Sequence, residues 1–77
     1  MRPEKHSLTL RGHRTSVSLE APFWKAFLEI SAREGQTING LAAQIDEARE
    51  VDTGLATAIR VYVLDWYQNR CATVPED

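Results

Sequence analysis

Polar and apolar residues alternate along two short runs near the N-terminus and follow a helical period in the rest of the chain. The stronger run, residues 14–19, places three residues on each face of a β-strand: Thr15, Val17 and Leu19 on one side, and Arg14, Ser16 and Ser18 on the other. A weaker run spans residues 7–10. The pattern predicts a strand at 14–19. It leaves two alternatives for 7–10, a second strand that forms a hairpin or an extended arm.

Two helices are predicted directly after the strand. The first runs from Pro22, at an early position where a missing N–H costs nothing, to Glu34. Gly35 supplies the left-handed residue that commonly ends a helix. Thr37 is the expected N-cap of a second helix, whose apolar residues recur with a helical period up to Ala48.

A third helix is predicted over residues 54–70, and it is apolar on more than one side. Val61 and Leu64 lie off its main apolar face. Such a helix has to be covered on more than one side, and a 77-residue chain has little left to cover it with. We therefore predict that its main face is an oligomer interface, formed by Leu55, Ile59, Tyr62, Val63 and Trp66.

The length and composition indicate one small domain that needs a device to stabilise it. The chain has 77 residues, of which 43% are hydrophobic, and chains of this size bury a modest share of their surface. Cys71 is the only cysteine, so a disulfide is excluded, and no Cys/His cluster suggests a structural zinc. Oligomerisation remains as that device. No apolar run resembles a signal peptide or a membrane span, which predicts a cytoplasmic protein without a membrane partner.

The charge is distributed unevenly, although the formal net charge is only -2. Residues 1–14 hold four basic residues and one acidic residue, whereas residues 15–77 hold five basic and ten acidic residues. Residues 1–13 are therefore predicted as a basic N-terminal arm. A basic end of this kind is often only a solvated tail, and residues 71–77 are predicted as a second, frayed tail.

The order of strand, helix, short turn and helix resembles the ribbon-helix-helix family of the Arc and MetJ type. The resemblance lies in "RTSVSLEAPFWKAFLEISAREGQTINGLAAQI", residues 14–45, with "SVSL" similar to the ribbon and "EGQTING" similar to the glycine turn and second N-cap. It implies a mainly α fold: an intermolecular antiparallel β-ribbon, two helices within a core of residues 14–49, and an added C-terminal helix. It also implies an obligate dimer.

The resemblance assigns roles to individual residues. The family's base-reading positions fall on Arg14, Ser16 and Ser18. Its phosphate clamp falls on the start of the second helix, and the preceding basic residues could track the DNA backbone, which gives Gln36, Thr37, Ile38 and Asn39 together with Lys5, Arg11 and His13. The predicted dimer core contains Thr15, Val17, Leu19, Phe23, Phe27, Leu41 and Ile45.

These assignments predict a sequence-specific DNA-binding transcriptional regulator, a repressor, acting as a homodimer or a dimer of dimers. The alternative is a protein-interaction or antitoxin-like module that keeps the fold and binds DNA weakly or not at all, and the net acidity favours it. A toxin as partner is the less favoured version. No catalytic arrangement, cofactor motif or metal-ligand spacing is present in the sequence, so we expect no enzyme, cofactor or metal.

Overall fold

The structure, a computed structural model, describes residues 1–72, with side chains up to Arg70. Its elements are β1 (Pro3–Leu10), β2 (His13–Glu20), α1 (Ala21–Arg33), α2 (Ile38–Ala48) and α3 (Leu55–Ala72). This order confirms the predicted ribbon-helix-helix fold with an added C-terminal helix. The predicted tail lies outside the described residues, except that Cys71 and Ala72 end α3.

The ribbon consists of two strands of the same chain, whereas the sequence predicted a ribbon shared by two molecules. β1 pairs with β2 antiparallel, from Pro3 opposite Glu20 to Leu10 opposite His13. A two-residue turn joins them, with φ of 53° at Arg11 and 83° at Gly12, as a type I′ turn requires. Arginine in this left-handed conformation costs roughly 1–2 kcal/mol. Closing so short a loop costs little entropy, so β1 becomes the first partner of β2.

The N-terminal arm predicted over residues 1–13 is a strand for most of its length. β1 begins at Pro3, not at residue 7. His6 extends the inner face of β1, because its ring stacks on Trp24 of α1 with the ring centroids 3.9 Å apart and the planes 5° apart. Histidine counts as polar in an alternation pattern, so the sequence pattern showed no strand before residue 7.

The core lies between the inner face of the ribbon and the three helices. Leu8, Leu10, Val17 and Leu19 contribute the ribbon side, and all four are at most 9% exposed. The helices contribute the rest of the core, which is Phe27, Ile30, Leu41, Ala42, Ile45, Ile59 and Val63. Five of the residues predicted for a dimer core are thus buried inside one chain, and the other two, Thr15 and Phe23, are half-buried. The dimer core itself stays a prediction.

α3 covers the core of its own chain. Ile59 and Val63, two of the residues predicted for an oligomer interface, are 0% and 5% exposed, and the other three are half-buried. The main apolar face of α3 therefore meets α1 and α2, and Val61 and Leu64 on the far side are about half exposed. Within residues 1–72, no helix combines the length and the apolar character needed to cross a membrane.

An ion pair joins α3 to the end of β2. The Arg60 guanidinium donates to both carboxylate oxygens of Glu20, at 2.9 and 3.2 Å, and to the Ser18 carbonyl oxygen at 3.4 Å. The hydrogen bond from Arg60 holds the pKa of the Glu20 carboxyl below its ordinary value of 4.5. A carboxylate with a lowered pKa in the folded state stabilises the fold above that value and loses this effect as the pH falls.

We predict that Glu20→Gln lowers the free energy of unfolding at neutral pH. The loss relative to the native chain should shrink as the pH falls below about 4.5, because the Glu20 carboxyl then takes up a proton in the native chain too. Urea unfolding followed at several pH values measures this. Glu50→Gln removes the same charge from an exposed loop residue and serves as the control. A loss that is constant over the whole pH range would contradict the ion-pair explanation.

Candidate functional site

Apart from the terminal pair of Pro3 and Glu20, the outward face of the ribbon is polar. It is formed by the side chains that alternate with the buried ones, which are Lys5, Ser7, Thr9, Arg14, Ser16 and Ser18. All six residues are exposed. Within residues 1–72, none of these side chains forms a hydrogen bond or an ion pair. Their polar atoms are therefore available to a ligand, and we call this group the outward face.

The pairing register arranges the outward face as three cross-strand pairs. Ser7 lies opposite Ser16 in the middle, and the outer pairs are Lys5 with Ser18 and Thr9 with Arg14. The two cations thus lie at opposite ends, with hydroxyl groups between them. A hydroxyl can donate and accept hydrogen bonds, and a guanidinium can donate two parallel ones to a single guanine. Such a surface matches the edges of DNA bases.

Three of the six residues were predicted as base contacts, and the prediction did not include Ser7 and Thr9 in this surface. The sequence contained the signal, because Leu8 and Leu10 alternate with them and are now seen to be buried. The residues were overlooked because the pairing of residues 7–10 was left open. Lys5 was predicted to contact phosphate and lies at the end of the outward face.

The start of α2 lies against β1 at the side of the outward face. The Thr37 hydroxyl caps the helix by accepting the Gly40 N–H at 3.0 Å, as predicted for this N-cap. A Cβ at Gly40 would lie 2.9 Å from that oxygen, so a larger residue here would displace the capping hydroxyl. The Asn39 side chain accepts the Thr9 N–H at 3.0 Å and ties α2 to β1.

Of the predicted phosphate clamp at the start of α2, only backbone N–H groups remain available to a phosphate. The side chains of Thr37 and Asn39 are engaged within the chain, and Gln36 accepts a hydrogen bond from Gln44 at 2.6 Å. The N–H groups of Ile38 and Asn39 are in the first turn, where a helix offers them no acceptor of its own. Together with the helix dipole, they form a site that suits an anion.

The remaining predicted phosphate contacts lie near the hairpin turn. Arg11 is in the turn and forms an ion pair with Glu47 of α2. His13 begins β2 on the inner side of the ribbon, yet it is exposed because the strand end projects beyond the core. Among the described residues, no group of three or more His, Cys, Asp or Glu side chains is placed to hold a metal ion.

Comparison with known families agrees with this arrangement. A family model described as a ribbon-helix-helix domain matches residues 3–67, which is most of the chain. The chain belongs to the ribbon-helix-helix family. No curated protein and no solved structure matches it. Domains of this family are regulatory DNA-binding modules or antitoxins and typically dimerise.

The β2 edge of the ribbon-helix-helix sheet is open. Thr9 directs its N–H away from β2 towards Asn39, so Thr9 and Arg14 form a non-hydrogen-bonded pair. The N–H and C=O groups of Arg14, and of Ser16 two residues on, consequently point away from β1. The Ser18 carbonyl shares this direction, and Arg60 occupies it. The β2 edge is thus open at Arg14 and Ser16, away from the carbonyl that Arg60 occupies.

We predict that Thr37→Ala destabilises this ribbon-helix-helix domain by about 1 kcal/mol, because the Gly40 N–H loses its acceptor at the helix start. Thr37→Ser keeps the hydroxyl and is the matched control, with a much smaller loss expected. Chemical unfolding measures both variants. Equal losses for the alanine and serine variants would show that the cap does not stabilise α2.

Proposed function

We propose that the chain is a sequence-specific DNA-binding transcriptional regulator, a repressor, that inserts its ribbon into the major groove. The observation that supports this most strongly is the outward face, with six exposed polar side chains that have no partner within residues 1–72. A surface that served only solubility would not need two paired strands held rigidly on a helical core. A cytoplasmic location in a bacterial cell is part of this proposal.

The dimensions of the ribbon suit the groove. Two strands are about 4.8 Å apart, and the major groove is about 12 Å wide, so the ribbon enters with its side chains directed at the base edges. Arg14 can pair with guanine through two hydrogen bonds, and Ser16 and Ser18 can donate or accept at either type of base pair. These three residues are the proposed base contacts.

We propose further that two copies pair through the open edges of β2. Antiparallel pairing of Arg14 and Ser16 with their symmetry mates satisfies the backbone groups that this edge leaves exposed. The sheet then has four strands, and its outer strands are about 14 Å apart. Because that distance exceeds the groove width of about 12 Å, the two central β2 strands are the pair that enters the groove, and the β1 strands lie at the groove walls. Lys5, Ser7 and Thr9 then face phosphates.

A dimer of this kind doubles the number of cations at the ribbon, although each chain has a net charge of -2. Each copy contributes Lys5 and Arg14, together with the backbone N–H groups of Ile38 and Asn39. Phosphate contacts provide much of the affinity of DNA-binding proteins, and they weaken with added salt. We therefore expect the protein to bind DNA most tightly at low salt. Where two DNA sites lie side by side, two dimers bind as a dimer of dimers.

The test is the affinity for DNA from the region upstream of the protein's own coding sequence. We predict that Arg14→Ala weakens binding by about 1–3 kcal/mol, or roughly five- to 150-fold in Kd, because a bidentate contact to guanine is lost. Arg33→Ala removes the same charge from an exposed position of α1, away from the ribbon, and is the matched control. A mobility-shift assay at low salt measures both variants.

Two outcomes would contradict the proposed function. The first is the absence of binding by the native chain at low salt. The second is an equal loss for the Arg14 and Arg33 variants, since this would show that only the total charge matters.

A second candidate function is a protein-interaction or antitoxin-like module. The observation that favours it is the outer side of α3, where Val61 and Leu64 are 51% and 53% exposed. Beside it, a shallow groove of about 520 Å³ lies between the end of α2 and α3. Recovery of this chain alone from native cells, together with tight DNA binding, would count against this candidate.

A further inference from the structure

In the hairpin turn at one end of the ribbon, a basic residue is paired with an acidic residue of α2. The Arg11 side chain forms an ion pair with the Glu47 carboxylate in the last turn of α2. The turn would be formed more readily by asparagine or glycine at this left-handed position. Arginine is present there nevertheless, and its side chain pairs with Glu47 of α2 while remaining more than half exposed.

This ion pair is the one most open to solvent of the three found within residues 1–72. The Arg11 and Glu47 side chains are 56% and 57% exposed, whereas those of Arg60 and Glu20 are 30% and 24% exposed. Exposed pairs are weak and are screened by salt. A stronger anion can therefore replace Glu47 as the partner of Arg11.

A DNA phosphate is such an anion. Guanidinium groups bind both carboxylates and phosphates through two parallel hydrogen bonds, but the DNA backbone offers a continuous row of negative charges where Glu47 offers one exposed charge. The local charge is otherwise balanced, because Arg49 pairs with Asp46 at 2.8 Å on the other side of the cleft beneath the turn. Once Arg11 turns to phosphate, Glu47 is left as an unpaired negative charge next to the DNA.

We propose that Glu47 limits the DNA affinity of this protein by competing with the DNA backbone for Arg11. The inference rests on the proposed function. In the free protein, the Glu47 carboxylate neutralises Arg11, and DNA binding exchanges this partner for a phosphate. The exchange breaks the Arg11–Glu47 ion pair and leaves the Glu47 carboxylate to repel the DNA phosphates. The native chain therefore binds DNA more weakly than a chain without a carboxylate at this position.

The experiment compares Kd values for a fluorescein-labelled duplex from the protein's own upstream region, measured by fluorescence anisotropy at low salt. We expect Glu47→Gln to bind roughly two- to tenfold more tightly than the native chain. Glu50→Gln makes the same charge change three residues away at an exposed position without an ion pair, and we expect less than half of that gain. The advantage of Glu47→Gln should shrink as salt is added, because the interaction is between exposed charges.

A double-mutant cycle separates competition for Arg11 from general repulsion. In an Arg11→Ala background, Glu47→Gln should change Kd no more than Glu50→Gln does. The inference is overturned if Glu47→Gln binds no more tightly than the native chain, or if its gain survives without Arg11. If the native chain binds and Arg14→Ala weakens it, such a result overturns this inference alone. If neither the native chain nor Glu47→Gln binds DNA, both this inference and the proposed function fail.

Discussion

A two-stranded ribbon is only marginally stable in water, so it has to bury one of its faces. In this protein, that requirement determines which side chains face the helices and which face outward. Side chains alternate between the two faces of a strand, so burying Leu8, Leu10, Val17 and Leu19 against the helices turns every intervening side chain outward. The polar outward face is thus a direct consequence of the packing. The Asn39 hydrogen bond to Thr9 and the Arg60 contacts to Ser18 and Glu20 then fix the ribbon at both of its edges.

The third helix allows a chain of 77 residues to bury the inner face of the ribbon. Ile59 and Val63 of α3 complete the core against β2, α1 and α2, and both are almost fully buried. A chain that covers its own core leaves its sheet edge and the outer side of α3 for other partners. Two separate surfaces result: a polar one on the ribbon for the proposed DNA contact, and a partly apolar one around Val61 and Leu64.

Much of this arrangement could be predicted from the sequence, because local signals determine it. Helical periodicity located all three helices within a few residues, and Gly35 and Thr37 marked the boundary between α1 and α2 through their own backbone and hydroxyl chemistry. The alternation in residues 14–19 assigned the inner and outer faces of β2 correctly. It could not identify the neighbouring strand, because an alternating pattern is the same whether the partner belongs to the same chain or to another. Arg11–Gly12 also lacks the asparagine that usually marks a type I′ turn. The ion pairs of Arg11 and Arg60 join residues distant in sequence, so no periodicity reveals them.

In the proposed complex, the outward face of the ribbon is the surface that meets DNA. The most direct measurement is a map of backbone amide chemical shifts by NMR as duplex DNA from the upstream region is added. We predict that the largest shifts occur in β1, in β2 and at Ile38 and Asn39, while the amides of α3 beyond Arg60 change little. Large shifts confined to α3 around Val61 and Leu64, with the ribbon amides unmoved, would contradict the account.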